Sequence, residues 1–295
     1  MTTTTPTEFG YRVNPKEEFY FAVKIFFSII LYFLIYKAVV SLMDNPVLKG
    51  MDFVFLFYGG IILFYLIFRM IFLVGYLRGN AVRVSPRQFP DIYNIVVKQA
   101  QMLNMSTVPN VYIMQSGGVL NAFATAFMGT NYVVIFSDVL AAAYEQNEKV
   151  VEFIIGHEMG HVKRKHILKR LLLLPGSFIP FLGPAYSRAC EYTCDSIGHA
   201  LCPEGARPGM LLLAAGRGLY GKVNVKAYLD QIETEDGFTR WFAEKLASHP
   251  NLTKRIRAFD DLGPAPVAAP VVVQAPPPTE DPTKYMPNKP LTLLP

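Results

Sequence analysis

The hydrophobic pattern changes character along the chain. From Phe19 to Met43 and from Phe53 to Leu77 it is apolar on every helical face, and each run exceeds the ~20 residues needed to cross a bilayer's hydrocarbon core. After Arg78 the pattern becomes periodic. Asn121–Phe127 and Tyr132–Phe136, separated by a turn at 128–131, read as a hairpin with one edge strand. Val150, Val151, Ile154, Ile155 and Val162 form the stripe of a buried helix, with Glu145 and Glu148 near its start, where the helix dipole favours acids. Leu171–Tyr186 is apolar again, but Pro175, Pro180 and Pro184 break it, so it reads as an interfacial or re-entrant loop. Helical patterns return around Met210–Tyr220, Phe238–Ala247 and Leu252–Leu262, and beyond Gly263 prolines dominate. The expected fold is mainly α with a small β-sheet (α+β), occupying 78–262 on a two-helix transmembrane anchor at 19–77. Disordered segments are expected at 1–18 and 263–295.

Charge refines this picture. Lys24, Lys37 and Arg69 lie towards the ends of the apolar runs, where long cationic side chains snorkel to headgroups. The link from Asp44 to Asp52 carries only Lys49, whereas Arg12 and Lys16 precede the first span and Arg78, Arg83 and Arg87 follow the second. The positive-inside rule then puts both ends in the cytoplasm, making an integral membrane protein, of the inner membrane if the cell is bacterial. The net charge of +5 suits a membrane surface better than nucleic acid. Three cysteines give no disulfide framework and fit a reducing compartment. No Gly-rich phosphate loop is present, which argues against an ATP-driven enzyme in one chain.

The chemistry concentrates at His157-Glu158-Met159-Gly160-His161, an HExxH motif on the apolar-striped helix. Histidines four residues apart project from one face and reach a single tetrahedral zinc, while the glutamate between them contacts the zinc-bound water as general base. A catalytic zinc needs a third protein ligand. Glu191 and Asp195, thirty residues on, share a helix face, which suits a ligand carboxylate beside an aspartate that orients a ligand histidine through its other ring nitrogen. Cys190 and Cys194 have the same spacing and are rival ligands. Thiolate-rich sites are usually structural, so Glu191 is favoured.

Four ordered segments carry a further signal: Asn121-Ala122-Phe123-Ala124, the HExxH motif, Ser187-Arg188 with Glu191 and Asp195, and Ser248-His249-Pro250 followed by Arg255-Ile256. Together, over roughly 80–260, the chain resembles the membrane zinc metallopeptidases that include the heat-shock protease HtpX and the CAAX prenyl proteases. The resemblance implies a zincin-like domain with one zinc on His157, His161 and Glu191, Glu158 as general base, and Asp195 behind the ligands. It also implies that His249 and Arg255 line the site, assisting the oxyanion or holding the site together, and that Asn121 and Ala122 bind the substrate backbone. Family members usually carry alanine where Cys194 stands, a departure that adds the prospect of thiol-dependent inhibition.

The expected function is zinc-dependent endoproteolysis of membrane or misfolded proteins near the bilayer, with protein substrates and lipid as partners and no nucleic acid. The rival is a catalytically silent zinc-binding scaffold acting through its proline-rich tail, against which the intact Glu158 argues.

Overall fold

The computed structural model describes residues 10–44, 51–115, 117, 121–127, 129–146 and 148–263. The expected proline-rich tail beyond 263, residues 1–9 and most of the link between the apolar runs lie outside them.

The two apolar runs form helices α1 (Pro15–Asp44) and α2 (Asp52–Asn80). Both are long and apolar enough to cross a membrane, and their large side chains, from Phe26 to Phe72, are mostly exposed. Such exposure is unfavourable in water by about 25 cal/mol per Å² and removed by lipid. On α2 the rings of Phe64, Phe68, Phe72 and Tyr76 stack at four-residue spacing.

The first half of α1 is different. Phe21 stacks on Tyr186, and Lys24 is 1 % exposed with its ammonium over the Tyr186 ring, so it does not snorkel as expected. Ser28 Oγ accepts from the Gly176 amide at 3.0 Å. A Cβ on Gly176 would lie 2.6 Å from Ser28 Oγ, so this approach requires glycine. Ahead of the helix, the amides of Arg12 and Asn14 donate to Ser196 Oγ and Thr193 Oγ1. Residues 10–18, expected to be disordered, are therefore held, because side chains far along the chain satisfy their backbone.

The sheet has the order β1-β2-β4-β3, formed by β1 (Val82–Arg83), then, after α3 (Pro90–Met102), β2 (Asn110–Met114), β3 (Ala122–Phe127) and β4 (Thr130–Phe136). The expected hairpin is β3–β4, antiparallel with Ala122 opposite Ile135, and β3 is the free edge. β2 runs parallel to β4. The last turns of α2 close one face of the sheet through Val74 packed with Tyr112 and Tyr132.

After α4 (Ser137–Gln146) comes the motif helix, α5 (Glu148–Lys163), and then a short α6 (His166–Leu172) and a 3-10 turn at Pro175–Phe178. α7 (Leu182–Leu201) carries the second motif. The expected loop at 171–186 thus ends inside a helix: Pro184 falls in the first turn of α7, where a missing amide costs no intrahelical bond. Its exposed Leu171, Leu172, Leu174 and Phe178 flank the buried Pro175 and Gly176, and Tyr32 of α1 donates to the Leu172 carbonyl.

α8 (Pro203–Ala215) begins before the expected Met210 and stops at Gly216, whose φ of 79° favours glycine. α9 (Val225–Thr234), a helix not expected from the sequence, is followed by α10 (Phe238–Leu246) and α11 (Leu252–Ala258). One core joins α3, the sheet, α5, α7, α8 and α11 through residues such as Val96, Val133, Phe153, Ile155, Ile197, Leu212 and Ile256, each worth about 1.5–3 kcal/mol when fully buried.

Candidate metal centre

The centre depends on how closely α5 and α7 approach. A Cβ on Gly160 would lie 3.1 Å from Cys194 Sγ and 3.2 Å from its Cα, and one on Gly156 would lie 3.2 Å from Gly198 Cα. The motif glycines are therefore spacers: without side chains there, α7 brings Glu191 under the two histidines. Any branched residue at 160 would push the carboxylate away.

His157 Nε2 lies 3.3 Å from Glu191 Oε2, and His161 Nε2 lies 3.4 Å from Glu191 Oε1. Two ligand atoms bound at about 2.0–2.1 Å to a tetrahedral zinc stand about 3.3–3.4 Å apart. One donor atom from each of the three residues falls within 4.8 Å of the others. Glu191 is 1 % exposed, and its Oε2 accepts no hydrogen bond. A buried carboxylate oxygen without a hydrogen bond, beside two histidine nitrogens at ligand spacing, is a donor set that suits zinc. Burial alone would raise the Glu191 carboxyl, but the two imidazoles hold it well below the usual range.

Behind His157, Asp195 Oδ1 lies 2.9 Å from Nδ1, and Arg255 grips Asp195 with both arms of its fork, Nε to Oδ2 at 2.7 Å and Nη2 to Oδ1 at 2.6 Å. Arg255 is 4 % exposed and also stands 3.5 Å from Glu191 Oε2. Its charge, against the cost of burial, keeps the Asp195 carboxyl low. Burial opposes charge on His157 too, yet Asp195 and Glu191 outweigh it and hold that imidazole up at about 10.

A cleft of about 500 Å³ opens over these atoms, lined by Asn121, Ala122, Glu158 and His249 as well as His157, His161, Glu191 and Arg255. His249 Nε2 stands 3.5 Å from Glu191 Oε1 on a side chain that is 63 % exposed. The Ser187-Arg188 motif explains its placement, since Arg188 Nη1 donates to the carbonyls of Glu244, Lys245 and Ala247, closing the C-terminus of α10 just before His249.

Along the far wall, the Phe136 amide donates to the Asn121 carbonyl, so Asn121, Phe123, Thr125 and Phe127 face β4 with their backbone groups. Alternation turns those of Ala122, Ala124 and Ala126 to the open edge. The Ala122 amide is already occupied by Asn121 Oδ1 at 2.9 Å.

The rival cysteines do not join His157 and Glu191: Cys194 Sγ groups with His161 and His166, and Cys190 with Glu17 and His166. Cys190, Cys194 and Cys202 are all buried, and burial pushes their thiols up, Cys190 and Cys202 to about 12. Buried neutral thiols resist alkylation, which removes the expectation of thiol-dependent inhibition.

The sequence reading missed a second group of residues. His166 is 1 % exposed, with Nδ1 3.0 Å from His161 Nδ1 and Nε2 3.1 Å from Glu17 Oε1, and Arg164 holds the same oxygen with Nε at 3.1 Å and Nη2 at 2.9 Å. Burial pushes the His166 imidazole down to about 4. The available signal was compositional: the chain has five histidines, and one follows His161 by five residues inside a basic cluster.

Residues 86–183 match the model of Peptidase family M48. That stretch contains the HExxH motif and ends before Glu191, whose placement rests on the geometry above. The chain is 36 % identical over 89 residues to a protease HtpX homolog of Thermodesulfovibrio yellowstonii, covering 30 % of each chain. It is 34 % identical over 88 residues to one of Streptococcus mutans serotype c, covering 30 % of this chain and 28 % of that one. The chain thus spans under a third of the length of these relatives. The crystal structure of S. mikatae Ste24p aligns with a TM-score of 0.41 and 14 % identity over 82 % of this chain and 66 % of that one. The stretch that matches the family model contains the HExxH motif from which the resemblance started.

Proposed function

We propose that the chain is a membrane-bound zinc metalloendopeptidase that cleaves peptide bonds of membrane or misfolded proteins. The observation that carries this reading is the meeting, in one cleft, of a three-residue donor cluster, a glutamate on the adjacent position and an open strand edge. The names of the HtpX homologs, both proteases, support it.

His157, His161 and Glu191 would hold the ion. When bound, zinc supplies a Lewis acid for the substrate carbonyl and lowers the pKa of water from about 15.7 towards about 7. Glu158 takes the proton of the attacking water and returns it to the leaving amine. The substrate adds to β3 as an extra strand, bonding to Ala124 and to the Ala122 carbonyl, while Asn121 presets that edge by holding the Ala122 amide. Arg255, with its fork committed to Asp195, holds the centre together and does not reach towards substrate. His249, exposed at the rim, is the residue placed to meet the developing oxyanion.

The exposed leucines of α6 and the turn after it rest the cleft against lipid beside α1, and the positive-inside pattern places the domain in the cytoplasm. The silent-scaffold alternative is not favoured, since Glu158, which lines the cleft, has no role in it.

The test is proteolysis of casein by detergent-purified wild type and Glu158→Gln, with zinc content measured for both. Cleavage that disappears in the variant at equal zinc supports the reading. Stoichiometric zinc with no cleavage of casein or of unfolded membrane proteins by wild type overturns the peptidase assignment, and absence of zinc overturns the metal centre.

A further inference from the structure

We propose that Glu17, at the start of the first membrane helix, is a positioning residue for the metal centre, acting through His166 on the ligand His161. The inference rests on the metal-site reading and extends it to a helix that no motif connects with the chemistry.

Hydrogen-bond accounting gives the direction of the relay. A carboxylate only accepts, so the contact between Glu17 Oε1 and His166 Nε2 at 3.1 Å requires the proton on Nε2. A neutral imidazole protonated there offers Nδ1 as its acceptor. The group facing that lone pair at 3.0 Å is His161 Nδ1, which must donate. With the proton of this contact on Nδ1, Nε2, the atom turned to Glu191 and the cleft, is the nitrogen left for an ion, which would take the place of any proton shared with Glu191. One carboxylate thus fixes two tautomers in succession and leaves the ligand nitrogen open, as a metal-bound histidine needs.

The surroundings fit. Arg164 donates twice to the same Glu17 oxygen, which keeps Glu17 in place and makes a second cation among Glu17, His166 and Cys190 unfavourable. Cys194 Sγ, 3.6 Å from His166 Nδ1, is a weaker and more distant donor than His161. The amides of Arg12 and Asn14, bonded to α7, anchor the helix that carries Glu17. Glu17 is as buried as His166, at 1 %, an expensive place for a carboxylate without a role for its charge.

The experiment uses the full chain in detergent. Zinc affinity is measured by competition with a chromophoric chelator, and the cobalt-substituted protein gives a visible spectrum that reports ligand geometry. Glu17→Leu and His166→Ala are expected to weaken zinc binding about 10–100-fold and to alter the cobalt bands. His166→Asn, whose Oδ1 stands in for Nδ1 as acceptor without needing Glu17, is expected to restore most of the affinity lost in His166→Ala. In the His166→Asn background, Glu17→Leu should have no further effect on zinc. If Glu17→Leu does not fold, judged by circular dichroism of the metal-free protein, the comparison of Asn with Ala at 166 decides, because both leave the Glu17–Arg164 pair intact. Wild-type affinity in folded Glu17→Leu or His166→Ala overturns the relay, as does Asn at 166 performing no better than Ala. Zinc binding that ignores these changes leaves the peptidase reading standing, whereas absence of zinc in wild type overturns both.

Discussion

The two candidate ligand histidines sit one helical turn apart on α5 yet are backed by unrelated parts of the molecule. Behind His157 stand Asp195 and Arg255, both within the domain that follows the anchor and joined by a two-armed ion pair. Behind His161 stand His166 and Glu17, and the carboxylate that ends this second chain comes from the membrane helix. The electrostatics differ as well: His157 is held up at about 10, His166 is pushed down to about 4. One candidate ligand is thus backed by charge within the domain and the other by the proposed relay between the domain and its anchor.

The largest expected effect is on the charged side. Arg255→Leu leaves Asp195 buried without its partner and is expected to destabilise the protein by about 3–5 kcal/mol, read as a lower midpoint in denaturant. Asp195→Asn in that background should recover part of the loss, because the uncompensated charge goes with it. Equal instability of the single and double variants would break the account of the clamp.

A smaller effect separates the two sides by pH. Without metal, the raised value of His157 contributes stability that is complete below its ordinary 6.5 and lost as pH rises through about 10. The depressed value of His166 has the opposite sign, contributing stability above 6.5 that is lost as pH falls through about 4. The metal-free midpoint is therefore expected to decline on both sides of neutrality, with His157→Asn flattening the alkaline limb and His166→Asn the acid limb. Thermal unfolding across pH 4–10 with chelator present measures both. Zinc must also displace the His157 proton, so its uptake at neutral pH should release acid to an unbuffered solution.

The smallest expected effect is none. Cys190 and Cys194 lie inside the α5–α7 contact that both sides share, so N-ethylmaleimide at neutral pH should leave zinc content and activity unchanged until the protein unfolds. Rapid labelling of the native protein would show that α5 and α7 part more readily than their glycine contacts imply.

Local pattern made much of this legible. The spans at α1 and α2 stand out as unbroken apolar runs, the β3–β4 hairpin and the motif helix as periodic patterns, and the helical spacing of His157, Glu158 and His161 places them together without tertiary help. Glu191 and Asp195 were legible as a pair on one face of a helix. α9 was not, although Val225, Tyr228, Leu229 and Ile232 stand at helical spacing, because the element is only ten residues long and mostly polar on its remaining positions. The start of α7 was obscured by prolines that read as breakers, although Pro184 occupies a first turn that tolerates it.

By itself, then, the sequence determined the anchor, the helix that bears the motif and the chemical kind of its candidate ligands, because these follow from residue type and spacing within a few turns. Tertiary structure alone decided what stands behind each ligand. Arg255 meets Asp195 across 60 residues, and Glu17 meets His166 across 149. No periodicity records such meetings, since they depend on the distance between α5 and α7 that the glycines permit and on the docking of a membrane helix whose first half is turned from lipid to protein.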